Sequence, residues 1–285
     1  MTSRPAIVVG IDGSSRGADA LAFALVLARA ARTGVLLVHA YGPSEDRVQA
    51  RAILDAGRPP AADVPVEVVA YADPSPARAL DRVAAARHAA AIVVGPSHRA
   101  GLGLVMPGST GQQLLSDAAR AVAVVPRGWR PGADAPLARI GCGYDGSPES
   151  HAALDAAVAL TRAVGGRLDV MRAFWSAPAS VAGAADLEAR ARAGLGEAVQ
   201  ALPADVDAHA RVFLGSPERA LIAHTGELDL LVIGSRGKAP LAAVWAGSVS
   251  AHVIREARCP VLVVVRGATF RLTEPLEDPA ATQSA

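Results

Sequence analysis

Short apolar runs alternate with longer alanine-rich stretches along the whole chain. Ten runs rich in Val, Ile and Leu lack polar alternation, at 6–9, 35–40, 66–71, 91–94 and 121–125 and again at 139–144, 167–173, 207–213, 228–233 and 261–265. Continuous apolar runs of this length are typical of parallel strands buried on both faces. Between them, stretches such as 18–33 and 149–164 have apolar residues at helical spacing and no proline. This alternation predicts an α/β fold with right-handed crossovers and doubly wound parallel sheets, with Gly34 and Gly165-Gly166 as helix C-caps.

The pattern occurs twice, which predicts two domains. The first run of each half leads into Asp-Gly-Ser, at 12–14 and 145–147, and the fourth leads into a glycine-rich stretch, at 95–109 and 234–248. A repeat this long is a duplicated domain rather than a solenoid unit. We predict domains at 1–127 and 138–267, a Pro- and Gly-containing linker at 128–137, and a mostly disordered tail at 268–285.

The fifth run of each half, 121–125 or 261–265, is short and very apolar. Left bare at a sheet edge, such a strand would invite aggregation. It is therefore either an internal strand, or an edge that pairs with the other half or with another chain. The duplication favours pairing, because two like domains in one chain can mimic a symmetric dimer. We expect an intramolecular pseudo-dimer, with a homodimer as a second option.

The composition narrows the classes of function. The 285 residues are 51% hydrophobic and 19% charged, with a net charge of +1. A net charge so close to zero does not indicate electrostatic binding to nucleic acid or to an acidic membrane. Two cysteines, Cys142 and Cys259, do not make a disulfide framework. No run approaches the roughly 18 apolar residues of a membrane helix, and the first residues lack a signal-peptide pattern. We expect a soluble, cytoplasmic protein.

Asp12 and Asp145 are the first candidate site residues, because each directly follows the first strand of its half. Ligands of doubly wound sheets bind at the carboxyl ends of the strands, beside the first strand. An aspartate there can accept hydrogen bonds from a ribose hydroxyl. The alternative is a helix N-cap, which Asp and Ser both favour. Both roles can coexist, with Ser14 or Ser147 as the cap and the aspartate facing a ligand.

The second candidate is the glycine-rich stretch after the fourth strand. In the second half it reads Gly234-Ser235-Arg236-Gly237, nine residues, then Gly247-Ser248-Val249-Ser250. Glycine lets backbone amides approach an anion, and a helix that starts at the Gly-Ser pair would point its dipole at a phosphate. The alternative is two ordinary loops that need glycine for their turns.

This spacing resembles the signature of the ATP-binding branch of the universal stress protein family. The resemblance covers 4–127 and 138–267 and includes Ser-Pro-Ala-Arg-Ala-Leu at 75–80 with its echo at 216–221. It implies two tandem domains of the adenine-nucleotide alpha-hydrolase-like type, each a five-stranded parallel sheet flanked by helices, with ATP at the carboxyl edge. A Mg²⁺ ion bridging the phosphates is an expectation for bound ATP, not a motif of this sequence.

The resemblance also implies roles for individual residues. In the second half Asp145 would hold the ribose and the backbone of Ala173 would meet the adenine. The phosphates would be surrounded by Ile233, Gly234, Arg236, Gly237, Gly247, Ser248 and Val249. The corresponding positions of the first half are Asp12, Ala40, Val94, Gly95, His98, Gly108, Ser109 and Thr110.

The first half departs from the signature. His98 stands where the second glycine belongs, and Pro96 removes an amide donor. His98 would be costly at a positive φ, although it could donate to a phosphate or be a solvated loop residue. We therefore hypothesise that the second domain binds ATP more tightly.

Other motifs do not carry a function. Gly13-Ser14-Ser15-Arg16-Gly17 fits the nucleophile-elbow pattern of serine hydrolases, but the second half does not keep it. The sequence contains no P-loop, no dinucleotide fingerprint and no metal spacing of histidines.

Three functions remain. The leading one is an ATP-binding stress-response regulator that acts through nucleotide-dependent conformation or a regulatory protein partner, without rapid turnover, because no catalytic base is evident. The second is a slow ATPase or self-phosphorylating enzyme, with Ser109, Ser248 or Ser250 as acceptors. The third is an interaction protein with one or both nucleotide sites vestigial.

Overall fold

The computed structural model describes residues 6–59, 63–96, 108–130, 137–174, 181–236, 249–268 and 270–272, with the backbone alone for 181–185. Four predicted site residues, His98, Gly237, Gly247 and Ser248, lie outside these ranges.

Each half of the chain forms the five strands that its apolar runs predict. The first half contains β1 (Ile7–Gly10), α1 (Ser15–Ala30), β2 (Val35–Tyr41), α2 (Arg47–Gly57), β3 (Val66–Ala72), α3 (Pro76–Ala86), β4 (Ala91–Val94), α4 (Ser109–Asp117) and β5 (Ala121–Val124). The second contains β6 (Arg139–Gly143), α5 (Pro148–Val164), β7 (Arg167–Phe174), α6 (Val181–Gln200), β8 (Asp207–Leu214), α7 (Pro217–His224), a 3₁₀ turn (Thr225–Glu227), β9 (Leu230–Ser235), α8 (Val249–Glu256) and β10 (Val261–Val265).

The strands are parallel within each half and form one ten-stranded sheet, in the order β3-β2-β1-β4-β5-β10-β9-β6-β7-β8. The two halves have the same internal order. In both, the order reverses beside the first strand, between β1 and β4 or between β6 and β9. The carboxyl ends of these strand pairs define the crevice in which such folds bind ligands.

The two halves join through an antiparallel pairing of β5 with β10. Val122, Ala123 and Val124 lie opposite Val263, Leu262 and Val261, and all six residues are fully buried. The sequence predicted either an internal strand in each half or an edge strand that pairs with the other half or with another chain. The structure shows pairing between the edge strands of the two halves. Because the join is antiparallel, the carboxyl ends of the two halves lie at opposite edges of the sheet.

A hydrophobic core covers each face of the sheet and runs through both halves. One core packs residues of α1 and α2 with residues of α5 and α6, for example Phe23 and Leu160. The other packs α3 and α4 with α7 and α8, for example Leu114 and Ile254. Burial of one such side chain contributes about 1.5–3 kcal/mol, so each half stabilises the other through shared apolar contacts.

The two predicted C-caps have different outcomes. Gly165 ends α5 with φ of 64°, in the left-handed conformation expected of a C-cap. Gly34 does not cap α1. Ala31 is the cap residue, and Arg32 takes the positive φ of 49°. Gly34 instead lies where an added Cβ would be 3.0 Å from the Pro65 carbonyl oxygen.

The first residues of the predicted linker dock onto α1. Buried Asp19 accepts a hydrogen bond of 2.8 Å from the Gly128 amide and also binds the Arg130 guanidinium. The Trp129 ring contacts the Phe23 ring edge-to-face at 5.4 Å. Beyond β10, Phe270 and Leu272 pack against the same core.

Among the helices in the described ranges, none has the length and apolar character needed to cross a membrane.

Candidate functional site

The Asp-Gly-Ser turns follow β1 and β6 at the carboxyl edge of each half. Gly13 and Gly146 have φ of 76° and 85°, which glycine adopts without a steric penalty. Asp12 Oδ1 accepts hydrogen bonds from the Ser14 amide, at 3.0 Å, and from the Ser14 hydroxyl. Asp145 Oδ1 accepts from the Ser147 amide at 2.9 Å. Each turn therefore fixes its carboxylate where the chain leaves the central strand.

The aspartates are not the helix caps, because that position belongs to Ser14 and Ser147. The Ser147 hydroxyl accepts from the Ser150 amide at 3.3 Å and caps α5. The Ser14 hydroxyl makes no cap hydrogen bond and donates to Asp12 instead. A serine therefore caps the helix beside a separate carboxylate in the second half only, and the predicted ligand-facing role of the aspartates stays a prediction.

Both carboxylates are held in the charged form. Burial raises the pKa of Asp12, but hydrogen bonds from Ser14 and the charge of Arg16 outweigh it, so the net pKa lies below the ordinary value. For Asp145, hydrogen bonds from Ser147 and Ser150 and the charge of Arg236 likewise outweigh burial and lower the pKa. Both groups are hydrogen-bond acceptors at neutral pH.

Gly95 and Gly234, the first glycines of the two glycine-rich stretches, lie against the first turn of the neighbouring helix. An added Cβ on Gly95 would be 2.4 Å from the Arg16 carbonyl oxygen, and one on Gly234 would be 2.4 Å from that of Glu149. Packing of strand against helix thus already requires glycine at both positions. The same contact brings the fourth strand next to the helix that follows the aspartate.

The remaining predicted residues lie along the same edges. Ile233 and Gly234 are in β9 and Arg236 follows it, while Ala173 is near the end of β7 and pairs with Phe213. Val94 ends β4, and Ala40 is near the end of β2.

Other predicted site residues lie at the starts of α4 and α8. Gly108 is the N-cap of α4 without a side-chain cap, and Ser109 and Thr110 form its first turn. The first amides of such a helix are donors available to an anion. Val249 is the first residue of α8.

The repeated Ser-Pro stretch has a structural role. Ser75 caps α3 by accepting from the Arg78 amide at 3.4 Å, and Ser216 caps α7 by accepting from Arg219 at 3.3 Å. In each helix the following proline occupies the first turn, where its missing N–H costs nothing.

One residue beside the site differs in charge between the halves and was missed in the sequence. Arg16 in the first half corresponds to Glu149 in the second. Arg16 Nη2 lies 3.1 Å from Asp12 Oδ2. Glu149 is nearly buried and accepts a hydrogen bond from Arg266 Nε at 2.5 Å. That hydrogen bond, with smaller effects that include the charge of Arg236, lowers the pKa of Glu149. Comparing the repeats position by position was the signal that could have found it.

His39 is a second residue that sequence reasoning missed. Its ring is buried beside Ala40, with Nδ1 at 2.8 Å from the Ile11 carbonyl oxygen and Nε2 at 3.0 Å from Glu45 Oε1. It therefore ties the segment between β2 and α2 to the residue that precedes Asp12. The second half has Arg172 at this position. Because the histidine is not repeated, comparison of the two halves did not single it out.

The match to known proteins follows the two halves. A model of the universal stress protein family matches residues 4–126 and again residues 137–265. The chain therefore belongs to the universal stress protein family, with two copies of its domain in tandem.

One sequence relative and two solved structures are similar to this chain. A universal stress protein A-like protein of Arabidopsis thaliana is 40% identical over 50 residues, which are 18% of this chain and 29% of the length of that protein. The fold is similar to the crystal structure of a universal stress protein from Archaeoglobus fulgidus DSM 4304, with a TM-score of 0.65 at 17% identity, covering 92% of this chain and 98% of the other. A functionally unknown protein from Pseudomonas aeruginosa PAO1 matches with a TM-score of 0.64 at 15% identity over 93% of each chain.

Proposed function

We propose that this protein is a stress-response regulator that binds ATP at the carboxyl edges of its two half-sheets. The observation that carries the proposal is the ionised carboxylate of Asp145, fixed at the point where the strand order reverses, beside Gly234 and Arg236. An ionised carboxylate accepts hydrogen bonds from ribose hydroxyls, and the guanidinium of Arg236 complements a phosphate.

The residues of the second half divide by the part of ATP that they would hold. Asp145 would accept from the ribose, and the backbone of Ala173 would meet the adenine. The phosphates would lie among Ile233, Gly234, Arg236, Gly237, Gly247, Ser248 and Val249, with the N-terminus of α8 facing them. A bound Mg²⁺ would neutralise phosphate charge.

The first half offers a similar but altered set. Asp12, Ala40, Val94 and Gly95 occupy the equivalent edge, and Gly108, Ser109 and Thr110 begin α4. His98 and Pro96 depart from the family signature, so the tighter site is proposed to be that of the second half.

Function would come from the nucleotide rather than from its turnover. Bound ATP would change the populations of two arrangements of the chain and thereby its affinity for a regulatory protein. The β5–β10 pairing supplies the pseudo-dimer within one chain, while a homodimer and the cytoplasm as compartment remain predictions.

Calorimetric titration of the full chain with ATP tests the proposal. Wild-type protein is expected to bind, and Asp145→Ala is expected to weaken the tighter site about tenfold or more, the range for a lost hydrogen bond to a charged group. The matched control is Asp155→Ala, an exposed carboxylate on α5 of the same half. No binding by wild type, or equal loss in both variants, contradicts the proposed site.

Prolonged incubation with labelled ATP separates the regulator from an enzyme. Unchanged nucleotide and unlabelled protein are expected. Released phosphate or a labelled protein band supports the slow ATPase or self-phosphorylating alternative instead.

A further inference from the structure

The two candidate sites differ in the groups of the protein that already bind their aspartates. In the first half both oxygens of Asp12 are engaged, Oδ1 by the Ser14 amide and hydroxyl and Oδ2 by Arg16 Nη2. In the second half, Asp145 accepts from the Ser147 amide and interacts with the Ser147 and Ser150 hydroxyls, but it has no ion pair within the described residues. A ribose hydroxyl would therefore meet a carboxylate that is ion-paired with an arginine in the first half and one without such a pair in the second.

The cause is the residue four positions after each aspartate. Arg16 lies in the first turn of α1, four residues after Asp12, and its guanidinium carries the charge opposite to that of the carboxylate. Glu149 has the same relation to Asp145, but two carboxylates repel. Glu149 turns to Arg266 at the end of β10, and Arg236 acts on Asp145 from a longer distance.

The position of Arg16 is fixed by packing. Its backbone contacts Gly95 at the end of β4, and its side chain is only 20% exposed. The pair with Asp12 is thus built into the start of α1, at the edge where the nucleotide would bind.

We propose that Arg16 competes with the nucleotide for Asp12, so that the first site fills only at higher nucleotide concentration than the second. This regulation rests on the proposed nucleotide binding, and it is independent of His98 and Pro96. Because Asp12 is 56% exposed, the competition is modest, about two- to fivefold in affinity, the range for a partly exposed ion pair. As the ATP concentration rises, the chain would then pass from empty to one filled site and then to two.

The test uses the full chain in an Asp145→Ala background, in which the second site is weakened and the first site contributes most of the measured ATP binding. Arg16→Gln in this background removes the charge and keeps a side chain of similar length. The matched control is Arg190→Gln on α6, which breaks an Asp–Arg pair of the same spacing and the same 3.1 Å distance, far along the chain from either site. Adding Asp12→Ala is expected to weaken the remaining binding about tenfold or more, which shows that the first site is being measured.

Arg16→Gln is expected to tighten ATP binding two- to fivefold at low salt, while Arg190→Gln leaves it unchanged. The gain is expected to shrink toward one as salt rises, because salt screens an exposed ion pair. A purely structural role of Arg16 would not produce this salt dependence. Circular dichroism confirms that each variant is folded.

Two results overturn the inference while nucleotide binding stands: weaker or unchanged binding by Arg16→Gln, or a first site that binds no ATP even without Arg16. Absence of ATP binding by the wild-type chain overturns the proposed function itself, and the three results are distinguishable in one titration series.

Discussion

At the scale of single residues, Asp73 shows how a charge is kept at the end of an edge strand. Its buried carboxylate accepts from Arg78 Nη2 at 2.6 Å and Nε at 2.8 Å, with Arg82 at 3.4 Å. The hydrogen bond from Arg78, then that from the Ser75 amide, lowers its pKa to about 2. The second half has exposed Leu214 at this position, so the network belongs to the first half.

Asp73→Asn is therefore expected to destabilise the protein in a pH-dependent way. A folded-state pKa of about 2 against 3.8 for the ordinary group contributes stability that is present above about pH 4 and is lost as pH falls toward 2. Denaturant midpoints from pH 7 down to pH 2 should show a gap between wild type and variant that closes in that window. Asp155→Asn is the control, and a gap that is independent of pH would contradict the assignment.

At the scale of elements, the packing of the fourth strand on the helix that follows the first strand leaves no room for a side chain. A methyl group at Gly234 would be 2.4 Å from the Glu149 carbonyl oxygen, a backbone atom that can shift only if α5 moves.

Gly234→Ala is expected to lower the free energy of unfolding by about 1–3 kcal/mol, the cost of overpacking. Gly196→Ala in α6 is the matched control, because nothing lies within 4 Å of its added Cβ. That change should stabilise the helix by up to about 1 kcal/mol. Equal effects of the two variants in chemical denaturation would show that the close contact does not matter.

The elements were predictable where burial alone decides them. Strands such as β9 and β10 lie between two cores, so their apolar runs could be recognised without alternation. The Asp-Gly-Ser turns were predictable because the repeat marks them. Gly95 and Gly234 were also found, although strand-to-helix packing is sufficient reason for both glycines.

Side-chain direction was not predictable. Arg16 and Glu149 occupy the same position of the repeat, but nothing in the sequence says that Arg16 turns to Asp12 and Glu149 to Arg266, which directly follows β10. Gly34 was wrongly predicted as a cap because a non-glycine residue, Arg32, takes the left-handed conformation.

At the scale of the whole molecule, the two halves share their cores and should unfold together. Phe23 is fully buried in a core that includes residues of α5 and α6, and it contacts Trp129 of the linker. Each half therefore loses apolar contacts when the other is disturbed.

Phe23→Ala is expected to lower the free energy of unfolding by about 3–5 kcal/mol. Because the core is continuous, hydrogen exchange should accelerate in strands of both halves, including β9 and β10. Loss of protection confined to β1–β5, or two separate unfolding transitions, would show that the halves are independent units.

The antiparallel join of β5 and β10 has a geometric consequence for any partner that would bind at the crevices. It places the two crevices at opposite edges of the sheet, facing away from each other. A partner that senses one crevice approaches from the side opposite to a partner that senses the other. A partner of either crevice would therefore meet it independently of the other, although both crevices belong to one sheet.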